Sequence, residues 1–314
     1  MSNGGAATRG GWTTHAALLV VQVAFASQAV EGKLAMMPRA DGGEAVPPEA
    51  VAMVRMLAAA VFFQVFSRAT GQLVPTVRRD HLRLAGLGVI GIALNQALFL
   101  IGLKYTTAMA ASLLGISIPV ITAGLAVAFR QERASLRTAL GVLLAASGVV
   151  WLIGVRSVDR GAMIIAVNCV SYSAYIVLSR ATIQRLGAVT VITWVFTWAA
   201  LLFAPIGMPV FLGSVASYAP RAWWLLGYIV VGPTIVAYLF NAWALGRSSA
   251  TLVTVYIYSQ PVLTAILAWV QLGQTLSARI LVSAAFIACG VGIVATRRAQ
   301  AVRAVPSEER APGA

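Results

Sequence analysis

The sequence predicts an all-α integral membrane protein of about ten transmembrane helices, arranged as two inverted five-helix repeats. Composition is the first reason: of 314 residues, 60% are apolar and only 10% charged, and the mean hydropathy is +0.86. A water-soluble fold with that composition would lack polar surface to show to solvent. Block length is the second reason, because the apolar residues gather in runs of roughly 18 to 25, enough to cross a hydrocarbon core of ~30 Å at ~1.5 Å per residue. The third is an ungapped internal match between Tyr105–Gly148 and Arg247–Gly290.

The spans read as 13–37, 48–67, 83–103, 108–129, 136–155, 161–180, 188–212, 222–244, 249–271 and 279–296. Arg9 followed by the apolar run Ala16 to Ala26 has the outline of a signal peptide, but no soluble domain follows, so the run is read as a retained first span. Residues 1–155 then form the first repeat and 156–296 the second. The charged segment 297–314, with Pro306 and Pro312, is expected to be a disordered cytoplasmic tail.

Charge placement sets the expected orientation. The net charge of +14 is spread over short loops and forms no single basic face, which argues against nucleic acid as a partner. With the N-terminus inside, the inner segments hold Arg68, Arg78, Arg79, Arg83, Arg130, Arg133, Arg137, Arg180, Arg185, Arg247 and the tail arginines. The outer segments hold Lys33, Arg39, Lys104, Arg156, Arg160, Arg221 and Arg279, diluted by Asp41, Glu44, Glu49 and Asp159. This bias predicts a multi-pass protein of the cytoplasmic (cell) membrane with both termini cytoplasmic, which requires an even number of spans.

In the internal match, Pro119 falls on Pro261, Thr106-Thr107-Ala108 on Ser248-Ser249-Ala250, and Leu136 to Gly148 on Ala278 to Gly290, while Lys33 pairs less firmly with Arg180. Five spans per copy is an odd number, so the second copy enters the membrane upside down, as in many secondary transporters. The arginine-rich loop Arg130–Arg137 corresponds to the nearly neutral Leu272–Arg279, as expected when only one of the two faces the cytoplasm.

These residues carry a resemblance over nearly the whole chain. Arg55 in span two, Tyr105-Thr106-Thr107-Ala108 followed by Pro119 and Glu132, the Gly141 and Gly148 spacing, and Ser248-Ser249-Ala250 with Pro261 and Gly290 resemble the drug/metabolite transporter superfamily, specifically its EamA-type members. The resemblance implies two five-helix repeats and the movement, mostly export, of small metabolites, amino acids among them. One departure is Gln274, which stands where the acidic residue matching Glu132 is often found. Such a likeness identifies a scaffold and leaves the ligand open.

Several residues are candidates for carrying transport. With Glu49, at the start of span two, counted among the outer segments, Glu31 is the acidic residue inside a span, and burial of a carboxylate suits proton uptake and release, so it is the proton-coupling candidate; the alternative is a headgroup-level pair with Lys33 or Arg39. Arg55, a cation well inside a span, is read first as a structural element closing an ion pair with Glu31, and second as a holder of a substrate carboxylate. Polar and aromatic residues at helical spacing, which need a cavity or a partner helix in lipid, form the substrate-binding set: Gln28, Glu31, Asn95, Phe99, Asn168, Tyr172, Tyr175, Tyr238, Asn241 and Tyr256, with Thr234 and Ser259 nearby. Pro119 and Pro261 interrupt spans four and nine at matched positions and are the hinge candidates.

Gly141, Ala145 and Gly148 in span five, and Ala284, Ala288 and Gly292 in span ten, sit at close-packing intervals, serving contacts within the bundle or in a homodimer. Cys169 and Cys289 lie in apolar blocks and are read as small hydrophobes, with no metal or cofactor expected. His15 and His81 lie near span ends and read as surface residues. The reading is a secondary transporter of small polar metabolites such as amino acids, an exporter working by alternating access, with the lipid bilayer and a small-molecule substrate as partners. No phosphate-binding glycine loop is present to drive a pump. The alternative, an intramembrane enzyme acting on a lipid or small metabolite, would need a catalytic constellation that the chain does not offer, so it is read as not an enzyme.

Overall fold

The computed structural model describes residues 12–74, 76–130, 136–153, 159–245, 256 and 259–303, and every regular element among them is helical. The helices are α1 (Trp12–Met36), α2 (Pro48–Ala69), α3 (Arg78–Tyr105), α4 (Ala108–Ala128), α5 (Leu136–Ile153), α6 (Arg160–Leu186), α7 (Ala188–Ser214), α8 (220–245), α9 (Gln260–Leu272) and α10 (Ala278–Arg303). Seven of them, α1 to α4 and α6 to α8, are long and apolar enough to cross a membrane. The apolar stretches of the others, Ala139–Leu152, Gln260–Leu272 and Ala278–Gly290, are shorter. Part of the reason lies in α9: its expected beginning at residue 249 falls outside the described residues. α10 continues to Arg303, so the first part of the tail expected to be disordered is helical, and 304–314 lie outside the described residues.

Helix ends are closed by groups close in sequence. Asp159 accepts the Ala162 amide at 2.9 Å to start α6, and Thr107 accepts that of Ala110 at 3.0 Å to start the first half of α4. At the end of α1, whose last carbonyls have no partner within the helix, the loop folds back so that the amides of Glu44, Ala45 and Val46 donate to Leu34, Met37 and Ala35. The Lys33 ammonium donates to the carbonyls of Leu103, Lys104 and Thr106, capping the negative end of α3. Gly187 joins α6 to α7 in one residue at φ 78°, a backbone region that side chains resist.

Packing follows one pattern under exchange of the two halves. α3 lies against α6 and α7 as α8 lies against α1 and α2; α4 touches α6 as α9 touches α1; and α2 with α7, and α5 with α10, meet across the middle. The α5–α10 seam shows this in atomic detail. A Cβ at Gly148 would stand 3.0 Å from the Ser283 carbonyl and 2.9 Å from the Ile287 side chain. A Cβ at Gly290 would stand 2.6 Å from the Gly141 carbonyl and 2.8 Å from the Ala145 amide. Gly148 and Gly290, Ser283 and Gly141, and Ile287 and Ala145 are counterparts in the register of the internal match, so the seam is close to self-complementary. Gly148 and Ala145 thus serve contact within the bundle, one of the two uses expected of the small residues.

The interruptions are matched as well. α4 breaks at Ile116 and Ser117, and Pro119 enters the first turn of the next helical segment, where its missing amide costs no hydrogen bond. Ser259 and Pro261 repeat the arrangement at the start of α9. Ser117 and Ser259 have nearly the same backbone angles, φ −71° and −78° with ψ −19° in both. Each serine hydroxyl donates to the carbonyl three residues back, at 2.6 Å to Leu114 and 2.7 Å to Tyr256. A second matched pair had no counterpart in the sequence reading: α3 widens into a π segment at Val89–Ala93 and α8 does so at Val231–Val236, again in the register of the internal match.

Because backbone atoms obstruct a side chain at Gly290, Gly290→Ala should destabilise the protein by about 1–3 kcal/mol. Gly124→Ala, whose nearest obstacle is a Val142 methyl at 3.4 Å, should leave the thermal midpoint in detergent nearly unchanged; equal midpoints for both variants would contradict the seam.

Candidate functional site

Four of the ten residues expected to bind substrate, Gln28, Tyr172, Tyr175 and Tyr238, gather near Arg55 at the junction of the two halves. Arg55 on α2 is 3% exposed. Its Nε donates to the Thr234 hydroxyl of α8 and one Nη to the Gln28 side-chain oxygen of α1, both at 3.2 Å. The other terminal nitrogen, Nη1, is buried without a hydrogen-bond partner. The expected ion pair with Glu31 does not form: among the described residues no carboxylate lies within salt-bridge distance of Arg55.

Tyr238, one helical turn beyond Thr234 on α8, stands within electrostatic reach of Arg55 and of Tyr172 and Tyr175 on α6. The Tyr172 and Tyr175 rings stack at 5.9 Å between centroids. None of the three hydroxyls makes a hydrogen bond among the described residues. All three residues are partly exposed, and Tyr175 and Tyr238 pack against the apolar core. Gly91, inside the π segment of α3, admits Tyr175: a Cβ there would lie 2.2 Å from its ring.

Three residues that the sequence reading missed complete this centre. Phe25, Phe63 and Phe196, from α1, α2 and α7, surround the Tyr238 ring with centroids 6.1, 6.5 and 5.5 Å away, at angles between 70° and 83°. Edge-to-face aromatic contacts of this kind hold a ring in place beyond its burial alone. Phe25 lies three residues before Gln28 and so shares its helix face, a signal the sequence did offer.

Other expected residues sit elsewhere. Glu31 lies five residues from the end of α1, half-buried, where it interacts with Gln271 of α9 and feels the Arg221 charge. Lys33 and Arg39, its alternative partners, are engaged elsewhere, Lys33 on α3 and Arg39 with the Ser217 carbonyl. The Asn168 amide donates to the Asn95 carbonyl at 2.6 Å, next to the π segment, so this pair ties α6 to α3. Phe99 packs against the apolar core. Tyr256 bonds to His15 at 2.6 Å, thirteen residues or about 20 Å along α1 from Gln28; it is thus remote from Arg55, and His15 is engaged rather than free. The Asn241 side chain, like Glu132, lies outside the described residues.

The two ends of the bundle differ. At the end holding the 37–47 loop, Arg221 donates to the Gly42 carbonyl at 3.0 Å and lies 3.6 Å from the Glu44 carboxylate, and the Thr106 hydroxyl donates to Asp159 at 2.6 Å. At the opposite end the halves are also joined, by the Arg185–Asp80 ion pair and by Thr190, which accepts from the Val74 amide and donates to the Gln72 carbonyl, but beside these contacts a cavity of about 1080 Å³ opens between them, lined by Trp12, Val20, Phe66, Gln72, Thr190 and Leu239 among others. Phe25, Phe63 and Tyr238 lie nearer this end of α1, α2 and α8 than Gln28, Arg55 and Thr234 do.

The sequence profile of the EamA-like transporter family matches residues 13–154 and again residues 159–296. An uncharacterized transporter of Bacillus subtilis (strain 168), YdfC, is 27% identical over 242 residues, covering 74% of this chain and 77% of its own. An uncharacterized transporter of Archaeoglobus fulgidus is 26% identical over 204 residues, covering 62% of this chain and 69% of its own. A crystal structure described only as that of a protein superposes over 93% of this chain and 99% of its own, with a TM-score of 0.57 at 20% identity, a likeness of fold. Matched twice by one profile along a chain of apolar helices, the protein is a multi-pass membrane protein that belongs to the EamA-like transporter family.

Proposed function

We propose that this protein is a secondary transporter that exports small polar metabolites across the cell membrane by alternating access, through one site at the junction of two inverted five-helix repeats with both termini cytoplasmic. The observation that carries the reading is the Arg55 centre, to which α1, α2 and α3 contribute from one half and α6, α7 and α8 from the other, beside interruptions matched in both copies. Discontinuous helices around a site between repeats are the arrangement by which such transporters expose one site to two sides. The tied end and the open end correspond to one of the two states, with the opening on the side of the termini. All ten helices span the membrane in this reading.

Proton coupling through Glu31 is the second part of the proposal. Glu31 lies one turn beyond Gln28 on the same face of α1, between the Arg55 centre and the tied end, where its surroundings change when that end opens. A carboxylate so placed can exchange a proton with the outer side and transmit its charge state to the site.

Two outcomes are expected. In proteoliposomes given labelled amino acids, organic acids, nucleobases and related metabolites, the native protein should accumulate at least one compound against its gradient when a proton gradient is imposed, and Glu31→Gln should retain only exchange. An equal response of both proteins would remove Glu31 from coupling, and no movement of any compound would remove the transporter reading. Gly91→Ala, which drives a Cβ into the Tyr175 ring, should lower flux about tenfold or more while the protein still elutes as a folded species; undiminished flux would detach Tyr175 from the site.

A further inference from the structure

Taking the transporter reading as its basis, we infer that the central site accepts organic monoanions, with a carboxylate on Arg55 and an uncharged remainder against the tyrosines, and that it excludes zwitterions of the same skeleton. The juxtaposition that carries this is a nearly fully buried guanidinium with an unpartnered Nη1 near Tyr238, which in turn neighbours Tyr172 and Tyr175, and none of the three hydroxyls makes a hydrogen bond among the described residues.

The charges around this centre do not balance. Arg55 contributes one positive charge, and its two protein partners, Gln28 and Thr234, are neutral. Among the described residues the nearest acidic candidate, Glu31, is engaged with Gln271 and Arg221. Burying an uncompensated cation is strongly unfavourable, and such charges in membrane interiors are found paired or serving a ligand. A carboxylate entering the site would supply the missing charge and accept from Nη1 in the charge-assisted geometry that suits a guanidinium. The free hydroxyls of Tyr172, Tyr175 and Tyr238 add donors for further oxygens of the ligand.

The same imbalance rejects an ammonium group. A zwitterion brings a second positive charge beside Arg55, and the described centre offers it no carboxylate; the oxygens present, of Gln28 and the tyrosines, are neutral and leave that charge uncompensated. A site whose buried polar groups fit one charge pattern discriminates against the other more sharply than one relying on shape.

Access to Nη1 requires motion. The atom is closed off from open space here, and Tyr238, held among Phe25, Phe63 and Phe196, stands one turn past Thr234 on α8, on the side of Arg55 toward the open end. Tyr238 therefore acts as a lid: its ring must turn aside for an anion to reach the guanidinium, and it closes again over the bound ligand.

The test compares three probes sharing one carbon skeleton, 2-oxoisocaproate, leucine and isocaproamide, for uptake into proteoliposomes holding the full chain. The expected result is uptake of 2-oxoisocaproate at least about tenfold above leucine and the amide, abolished in Arg55→Gln and reduced in Arg55→Lys, which keeps the charge and loses the fork. Tyr238→Phe, which keeps the ring, should raise the KM for the oxo acid with little change at the lid. Leucine moving faster than the oxo acid overturns the anion assignment and leaves the transporter reading standing. Oxo-acid uptake unchanged in both Arg55 variants also overturns it. If none of the three moves, the assignment fails, and the broader metabolite panel decides the transporter reading separately.

Discussion

A hydrocarbon interior offers no water to an unbonded carbonyl or amide, and the rest of this structure depends on how that constraint is met. At the matched interruptions of α3, α4, α8 and α9, a side chain close by takes up an exposed carbonyl. Ser117 and Ser259 bond to the carbonyls of Leu114 and Tyr256 at the two proline breaks. Thr234 bonds to the Ile229 carbonyl inside the π segment of α8, and Ser171 and Asn168 of α6 reach the carbonyls of Ile90 and Asn95 at the π segment of α3. The interruptions are therefore stable parts of the fold. They also release the backbone from strict helical geometry around the Arg55 centre, where a binding site needs irregular backbone.

The two copies share this scaffold and differ in chemistry. Both π segments lie in the register of the internal match, yet Gly91 of the first corresponds to Pro233 of the second, and Ile92 to Thr234. The glycine makes room for Tyr175, whereas the proline lacks the amide that a regular ladder would require and so favours the wider turn. Thr234 then spends its hydroxyl proton on Ile229 and offers its oxygen to Arg55. A symmetric framework thus carries an asymmetric, singly charged centre, and a single site between the halves needs no second arginine.

Much of this was legible in the residues. The apolar blocks, the internal match and the paired prolines led to the helical two-repeat architecture, and Arg55, Gln28, Tyr172, Tyr175 and Tyr238 were found by their polarity within spans. The π segments were not legible, because α3 holds no proline there and the widening depends on tertiary contacts with α6. The partner of Arg55 was misread for a related reason: which residues of α1 face α2 is fixed by the 37–47 loop, whose backbone caps α1, and spacing within one helix does not reveal that. Tyr256 fell outside the centre because its depth follows from the break at Ser259, which places it beside His15 near the other end of α1.

The central claim is that the two halves rock about a site that they share, and interspin distances test it directly. Nitroxide pairs at Ala40 and Ala216 would report the tied end, and pairs at Thr70 and Ala188 the open end; all four residues are exposed. Adding a transported compound should change the two distances in opposite directions, one end opening as the other closes. Distances that stay fixed at both ends, or that grow together, would contradict alternating access and reduce the Arg55 centre to a structural junction.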